Sequence, residues 1–199
     1  MFASRKYLLI GVAIAAAATL SACSTASPSG ADAPSTSASA SFNDADVSFA
    51  QGMLPHHEQA VEMSDVLLAK DGIDQQVLDL ATQIKAAQEP EIAQLTEWLS
   101  TWGAESTSSS SDMSGMSGMD EGMSGMMSQD DMDALDSATG TEAGTLFLEQ
   151  MTMHHEGAIQ MAQLELDDGT NVDAKEMATA IIKTQTDEIA VMKELLASL

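Results

Sequence analysis

The 199-residue chain holds a single cysteine, Cys23, so no disulfide framework can form within one copy. Positive charge is nearly as scarce: 7 Lys and Arg stand against 31 Asp and Glu, a formal net charge of −24. Such a surface repels nucleic acid and anionic lipid headgroups, which excludes both as electrostatic partners. The same acidity raises the local concentration of cations, but it equally keeps an exported protein in solution, so charge alone does not choose between the two roles. The alternation of apolar and polar residues that marks a strand is absent. The uncharged run from Tyr7 to Leu20 is too short for a membrane span.

That run follows Arg5 and Lys6, which is the layout of a secretory signal. It closes on Leu20-Ser21-Ala22-Cys23, which resembles the lipobox of bacterial lipoproteins, where the signal is cut before a cysteine that then receives lipid. Residues 1–22 are therefore expected to be a signal peptide and Cys23 a lipidation site, anchoring the protein on a membrane and facing the periplasm or the cell exterior. Their removal takes away two positive charges and no negative one, so the mature chain is more acidic still. Ser24 to Ser41 is built of Ser, Ala, Thr, Pro and Gly with only Asp32 charged, too polar to bury a core, so residues 23–42 read as a tether. The remaining residues 43–199 suffice for one domain.

All four histidines fall in two adjacent pairs, His56-His57 and His154-His155, 98 residues apart. The first pair lies in Phe49-x3-Met53-x2-His56-His57-Glu58-x-Ala60-Val61-x-Met63, and the second in Phe147-x3-Met151-x2-His154-His155-Glu156-x-Ala158-Ile159-x-Met161. Downstream, Ala81-x2-Ile84-x3-Gln88-x2-Glu91-Ile92-x2-Leu95-x3-Leu99 is answered by Ala178-x2-Ile181-x3-Gln185-x2-Glu188-Ile189-x2-Met192-x3-Leu196. The chain is thus an internal repeat. Each segment carries apolar residues at i, i+3, i+4 and i+7, the stripe of an amphipathic helix. Breaks at Lys70-Asp71-Gly72 and Asp167 to Asn171 place helices near 44–69, 73–101, 142–167 and 172–198. Two helical hairpins, neither able to hide its stripe alone, predict an all-α four-helix bundle. Pro55 and Pro90 fall inside these helices, where a lost N–H and a ring clash should bend or restart them.

Phe49, Met53, His56, Ala60 and Met63 share one helix face, and His57 lies on its flank; Phe147, Met151, His154, Ala158, Met161 and His155 repeat the arrangement. Methionines at helical spacing are commonly core packing, and a histidine among them is commonly a core residue. Two pairs in register, holding every histidine of the chain, favour a metal site of His56, His57, His154, His155, Met53, Met63, Met151 and Met161. Diiron bundles place Glu three residues before His, whereas Met53 and Met151 stand there here. Imidazole with thioether favours copper, Cu(I) ahead of Cu(II). Gln88 and Gln185 fall on the apolar stripes, where a buried amide needs a partner, as does the second nitrogen of a ligating imidazole. Glu58 and Glu156 are candidates to support the ligands from behind, or plain surface residues.

Between the repeats, residues 104–132 read as a Met-rich linker of Ser, Gly, Asp and Met, with Met113, Met116, Met119, Met123, Met126 and Met127 preceding Met132. Flexibility and solubility do not call for exposed thioethers, which oxidise readily outside the cytoplasm. Capture of copper or silver by soft sulfur is the favoured reading, with a drifted linker or an oxidant trap as alternatives.

The paired Met-x2-His-His-x2-Ala-x2-Met motifs, Met53 to Met63 and Met151 to Met161, resemble the domain of unknown function 305 family over about residues 43–199 without the insert. The resemblance implies a ferritin-like four-helix bundle and an association with copper. The sequence reading is therefore an exported, non-enzymatic lipoprotein that sequesters, buffers or passes on copper. A ferritin-like metal-dependent oxidase and a metal-free structural envelope protein are the alternatives.

Overall fold

Asn43 opens the first helix. Its side chain accepts hydrogen bonds from the N–H groups of Ala45 and Asp46, while the Asp46 carboxylate accepts one from the N–H of Asn43 at 2.6 Å. This reciprocal cap satisfies donors that a helix start leaves bare. In the computed structural model, which describes residues 41–104 and 125–199, the cap begins α1 (Asp44–Leu68), followed by α2 (Gln75–Trp102), α3 (Gln129–Ser137), α4 (Gly140–Asp168) and α5 (Val172–Leu196). Asp74 caps α2, Asn171 caps α5 through the N–H of Ala174, and α2 stops on Gly103 in the left-handed conformation. Among the described residues there is no strand, and no helix is long and apolar enough to cross a membrane.

The four long helices fall within two residues of their expected ends. Two expectations need correction. Of the two effects expected of the prolines, bending or restarting, the restart does not occur: α1 runs unbroken through Pro55 and α2 through Pro90. Buried neighbours on both sides, Met53 and His56 about Pro55 and Gln88 and Leu95 about Pro90, hold each helix in place against the lost N–H bond. The second correction concerns the Met-rich linker, which ends earlier than residue 132. Ser128 forms a reciprocal cap with Asp131 and begins α3, which sinks Leu135 completely into the core. Just before it, the N–H and C=O of Met127 bond to the side-chain amide of Gln59 on α1 at 2.8 and 2.9 Å. Gly125, at φ +82°, lies so flat on α4 that a Cβ would stand 2.6 Å from the carbonyl oxygen of Met153. Only glycine meets both demands.

α1 packs on α2 and α4 on α5, the two hairpins meet along α1 and α4, and α2 and α5 barely touch. The core is divided into two clusters. One gathers Met63, Leu67, Ile84, Phe147, Leu148 and Met151, the other Phe49, Met53, Leu95, Met161 and Ile181. Early residues of α1 sit with late residues of α4 and the reverse, so the two helices run antiparallel about a pseudo-twofold axis. Each fully buried Leu, Ile, Met or Phe contributes roughly 1.5–3 kcal/mol.

A polar latch ties the start of α1 to the α4–α5 turn. Asp46, fully buried, accepts from the N–H groups of Thr170 and Asn171 at 3.0 and 2.8 Å, and the side chain of Asn43 donates to the carbonyl of Asp168. Burial works to raise the Asp46 pKa, but the N–H groups of Asn171 and Asn43 and its other hydrogen bonds outweigh it and leave the pKa lowered. Glu165, 1% exposed, responds in the opposite sense: burial first, then the hydrogen bond and charge of Asp46, push it up to about 8. It is protonated at neutral pH, beside the Asp46 carboxylate.

The two carboxyls therefore give opposite pH dependences. The stability that Glu165 supplies is complete below about 4.5 and is lost as pH rises toward about 8, because the folded chain keeps a proton that the unfolded chain has released. Asp46 acts the other way, its contribution being lost as pH falls below the ordinary value of 3.8. Chemical denaturation across pH is expected to show Glu165→Gln flattening the decline between 4.5 and 8, with a gain at pH 8 on the order of a few kcal/mol. An unchanged slope in that window would contradict a protonated Glu165.

Candidate metal centre

Where α1 and α4 cross, His56 meets His154 with ring centroids 3.7 Å apart and planes tilted by 40°. His57 and His155 flank them at 6.4 and 6.5 Å, each tilted by 54° from its neighbour. The two halves of the repeat thus build the same geometry, and all four rings are 0% exposed. They form a polar seam between the two apolar clusters. Met53 and Met161 lie in the cluster on one side, Met63 and Met151 in the cluster on the other, and all four are buried.

The second helices of each hairpin orient the outer rings. Nε2 of His57 stands 2.8 Å from Oε2 of Glu91 on α2, and Nε2 of His155 stands 2.7 Å from Oε2 of Glu188 on α5. A carboxylate only accepts, so these contacts place a ring proton on Nε2 and leave Nδ1 as the atom open to a further partner. Both Nδ1 atoms are buried and make no hydrogen bond, and neither ring nitrogen of His154 makes one. The His154 pKa is held well below the ordinary 6.5, chiefly by burial and then by repulsion from His56, His155 and His57. It is neutral at physiological pH, the form that ligates metal.

Among the described residues no three His, Cys, Asp or Glu side chains are gathered as a preformed metal site. The central donors are instead imidazole nitrogens with thioethers in the clusters on both sides. That donor set fits a soft ion of low coordination number and fits a hard cation poorly.

The structure assembles His56, His57, His154 and His155 and divides the four helix methionines around them. Met127 is in the core, 9% exposed, and Met126 is half-buried, so neither belongs to a freely exposed thioether array. Met113, Met116, Met119 and Met123 lie outside the described residues, as do Cys23 and the signal segment. Glu58 and Glu156 are exposed and do not support the histidines; Glu156 approaches Lys193 instead. That role belongs to Glu91 and Glu188, which stood in the repeat in matching register but carried no local sign of burial. Gln88 and Gln185 are buried as their stripes predict, yet the expected partner is missing: both amide atoms of Gln88 and Oε1 of Gln185 make no hydrogen bond.

Removing a carboxylate strands a buried N–H. Glu91→Ala is expected to lower stability by about 1–3 kcal/mol. Long-range proton–nitrogen NMR should show His57 and His155 as Nε2–H tautomers in the parent and a mixture at His57 in the variant. A pure Nδ1–H form in the parent would refute the arrangement.

The family described as a domain of unknown function, DUF305, matches residues 46–196. Among curated proteins, none matches the chain. Several solved structures do. A DUF305 protein from Streptomyces coelicolor, described as secreted, is 34% identical with a TM-score of 0.68, covering 77% of this chain and 93% of that one. A DUF305 fragment from Deinococcus radiodurans is 29% identical with a TM-score of 0.69, covering 79% and 98%. CopM in its Cu(II)-bound form is 27% identical with a TM-score of 0.63, covering 77% and 96%, and CopM has also been solved in Cu(I)-bound, Ag-bound and apo forms.

Proposed function

The chain belongs to the DUF305 family, and we propose that it is an exported, lipid-anchored protein that binds copper in the histidine seam and sequesters, buffers or passes it on without catalysis. The observation that carries this reading is the contact of His56 with His154, ring centroids 3.7 Å apart, fully buried, with methionine pairs in the clusters on both sides. Soft thioether beside imidazole favours Cu(I), with Cu(II) as a second state. CopM, similar over 77% of this chain, has been solved with Cu(I), Cu(II) and silver, and two of these three ions are soft.

The remaining parts of the proposal lie around the bundle. Met113, Met116, Met119 and Met123 capture metal ahead of the seam; just after them in the chain, Gly125 lies against Met153 and Gly157 of α4 and Met127 bonds to Gln59 of α1. Lipid on Cys23 holds the protein at the outer face of a membrane.

A second reading, a ferritin-like metal-dependent oxidase, gains from Glu91 and Glu188, which bring carboxylates to His57 and His155. In the bundle these carboxylates hold imidazole protons rather than stand free, which favours the copper reading. Metal-dependent oxygen consumption by the loaded protein would reverse that preference.

Titration of the mature protein with Cu(I) against a competing chelator is expected to show tight binding that is lost when His56, His57, His154 and His155 become Ala. Glu91→Ala with Glu188→Ala should weaken it by about 10–100-fold. Equal affinity of the four-histidine variant and the parent would refute the seam as the site.

A further inference from the structure

The bundle is not closed on all sides. Because α2 and α5 barely touch, a cleft of about 490 Å³ runs between them, lined by Asp79 and Gln83 from α2 and by Thr184, Asp187 and Glu188 from α5. Beside it lies a cavity of about 10 Å³, room for one water-sized species, lined by Gln88 and Glu91 from α2 and Thr184, Gln185 and Glu188 from α5. Thr184 and Glu188 line both spaces, so the two adjoin. Glu91 and Glu188 reach from this cavity to His57 and His155. Gln88 is 2% exposed, and neither atom of its amide has a hydrogen-bond partner; Gln185 is 3% exposed and its Oε1 is likewise unpartnered.

We propose that the cleft between α2 and α5 is the route by which copper reaches the histidines, with Asp79 gathering the cation and the amide oxygens of Gln88 and Gln185 passing it inward to the seam. This rests on the copper reading of the seam. The chemistry of the lining changes in steps along the route. An arriving hydrated ion first meets carboxylates, where Asp187 already shares its charge with Lys183 at 2.8 Å and Asp79 accepts only from Gln75. It next meets neutral amide oxygens in a space that admits one small species at a time, and last the imidazoles. Water is thus shed against successive oxygen donors before nitrogen and sulfur take over. Unpaired amides are costly in a dry interior, and a path for cations gives them an occupant. A focused negative mouth also speeds association in a salt-dependent way.

The test is stopped-flow uptake of acetonitrile-stabilised Cu(I) by the mature apoprotein, followed by tryptophan fluorescence. The phase to read is the one missing from the variant with all four histidines changed to Ala. Thr184 is exposed at the mouth, so Thr184→Phe should fold and narrow it. The expected result is a phase at least about tenfold slower with equilibrium affinity within about twofold of the parent, and no slowing in Thr184→Ser. Asp79→Asn should slow the phase and reduce its dependence on ionic strength. An unchanged rate in Thr184→Phe overturns the route while leaving the seam intact, and so does a rate that falls only in step with affinity. Absence of the phase from the parent itself overturns the copper reading.

Discussion

Two imidazoles in contact at the crossing of α1 and α4 set the terms for the rest of the bundle. For His56 and His154 to stand 3.7 Å apart, the helix backbones around them have to come close. Small residues make room for this: Ala60 follows His56 by one turn and Ala158 follows His154, both 0% exposed. The same contact splits the apolar interior, because an aliphatic core cannot run continuously through four rings. Hence there are two clusters, each taking one methionine from α1 and one from α4. Burial and mutual repulsion keep His154 neutral, so the seam carries lone pairs where a charged core would carry ion pairs.

The outer rings show how the repeat was put to use. His57 reaches Glu91 and His155 reaches Glu188 with nearly equal distances, 2.8 and 2.7 Å, and the ring separations in the two halves differ by as little. Pro55, the main departure of the first motif from the second, leaves this symmetry undisturbed. Each hairpin therefore carries its own orienting carboxylate, and each site half is complete within a hairpin. Only the contact of His56 with His154 requires the two hairpins to dock.

Much of this was legible in the sequence, for a physical reason. Amphipathic spacing reports burial, and the helices, the buried methionines and the histidine face are all consequences of burial. What the spacing does not report is which polar groups meet across elements. Glu91 and Glu188 sit on the edges of their stripes, at 23% and 14% side-chain exposure, and a glutamate at such a position looks like any other on an acidic helix. Glu58 and Glu156, beside the pairs in sequence, lie on the wrong side of their helices to reach the rings. α3 escaped notice because one apolar anchor, Leu135, and a cap at Ser128 suffice for nine residues once Gly125 has laid the chain on α4. The latch of Asp46 on Thr170 and Asn171 joins residues 124 and 125 positions apart, beyond any local pattern.

The distribution of satisfied and unsatisfied polar groups then bears on how the bundle works. At the end where α1 begins, every oxygen that Asp46 offers is met by backbone or side-chain donors, and its neighbour Glu165, whose own two oxygens make no hydrogen bond, is neutral where a second charge would have been repulsive. At the middle, the nitrogens of His154, the Nδ1 atoms of His57 and His155 and the amide of Gln88 are buried without partners. Each such atom subtracts on the order of 1–3 kcal/mol that the apolar clusters must offset. A ligand that satisfies them returns that energy, and binding of this kind stabilises the folded state in proportion to the logarithm of ligand concentration over its dissociation constant. On the copper reading the bundle is therefore pinned at its end and strained at its centre. The metal acts as the missing partner of the core, and affinity draws on stability that the apoprotein forgoes.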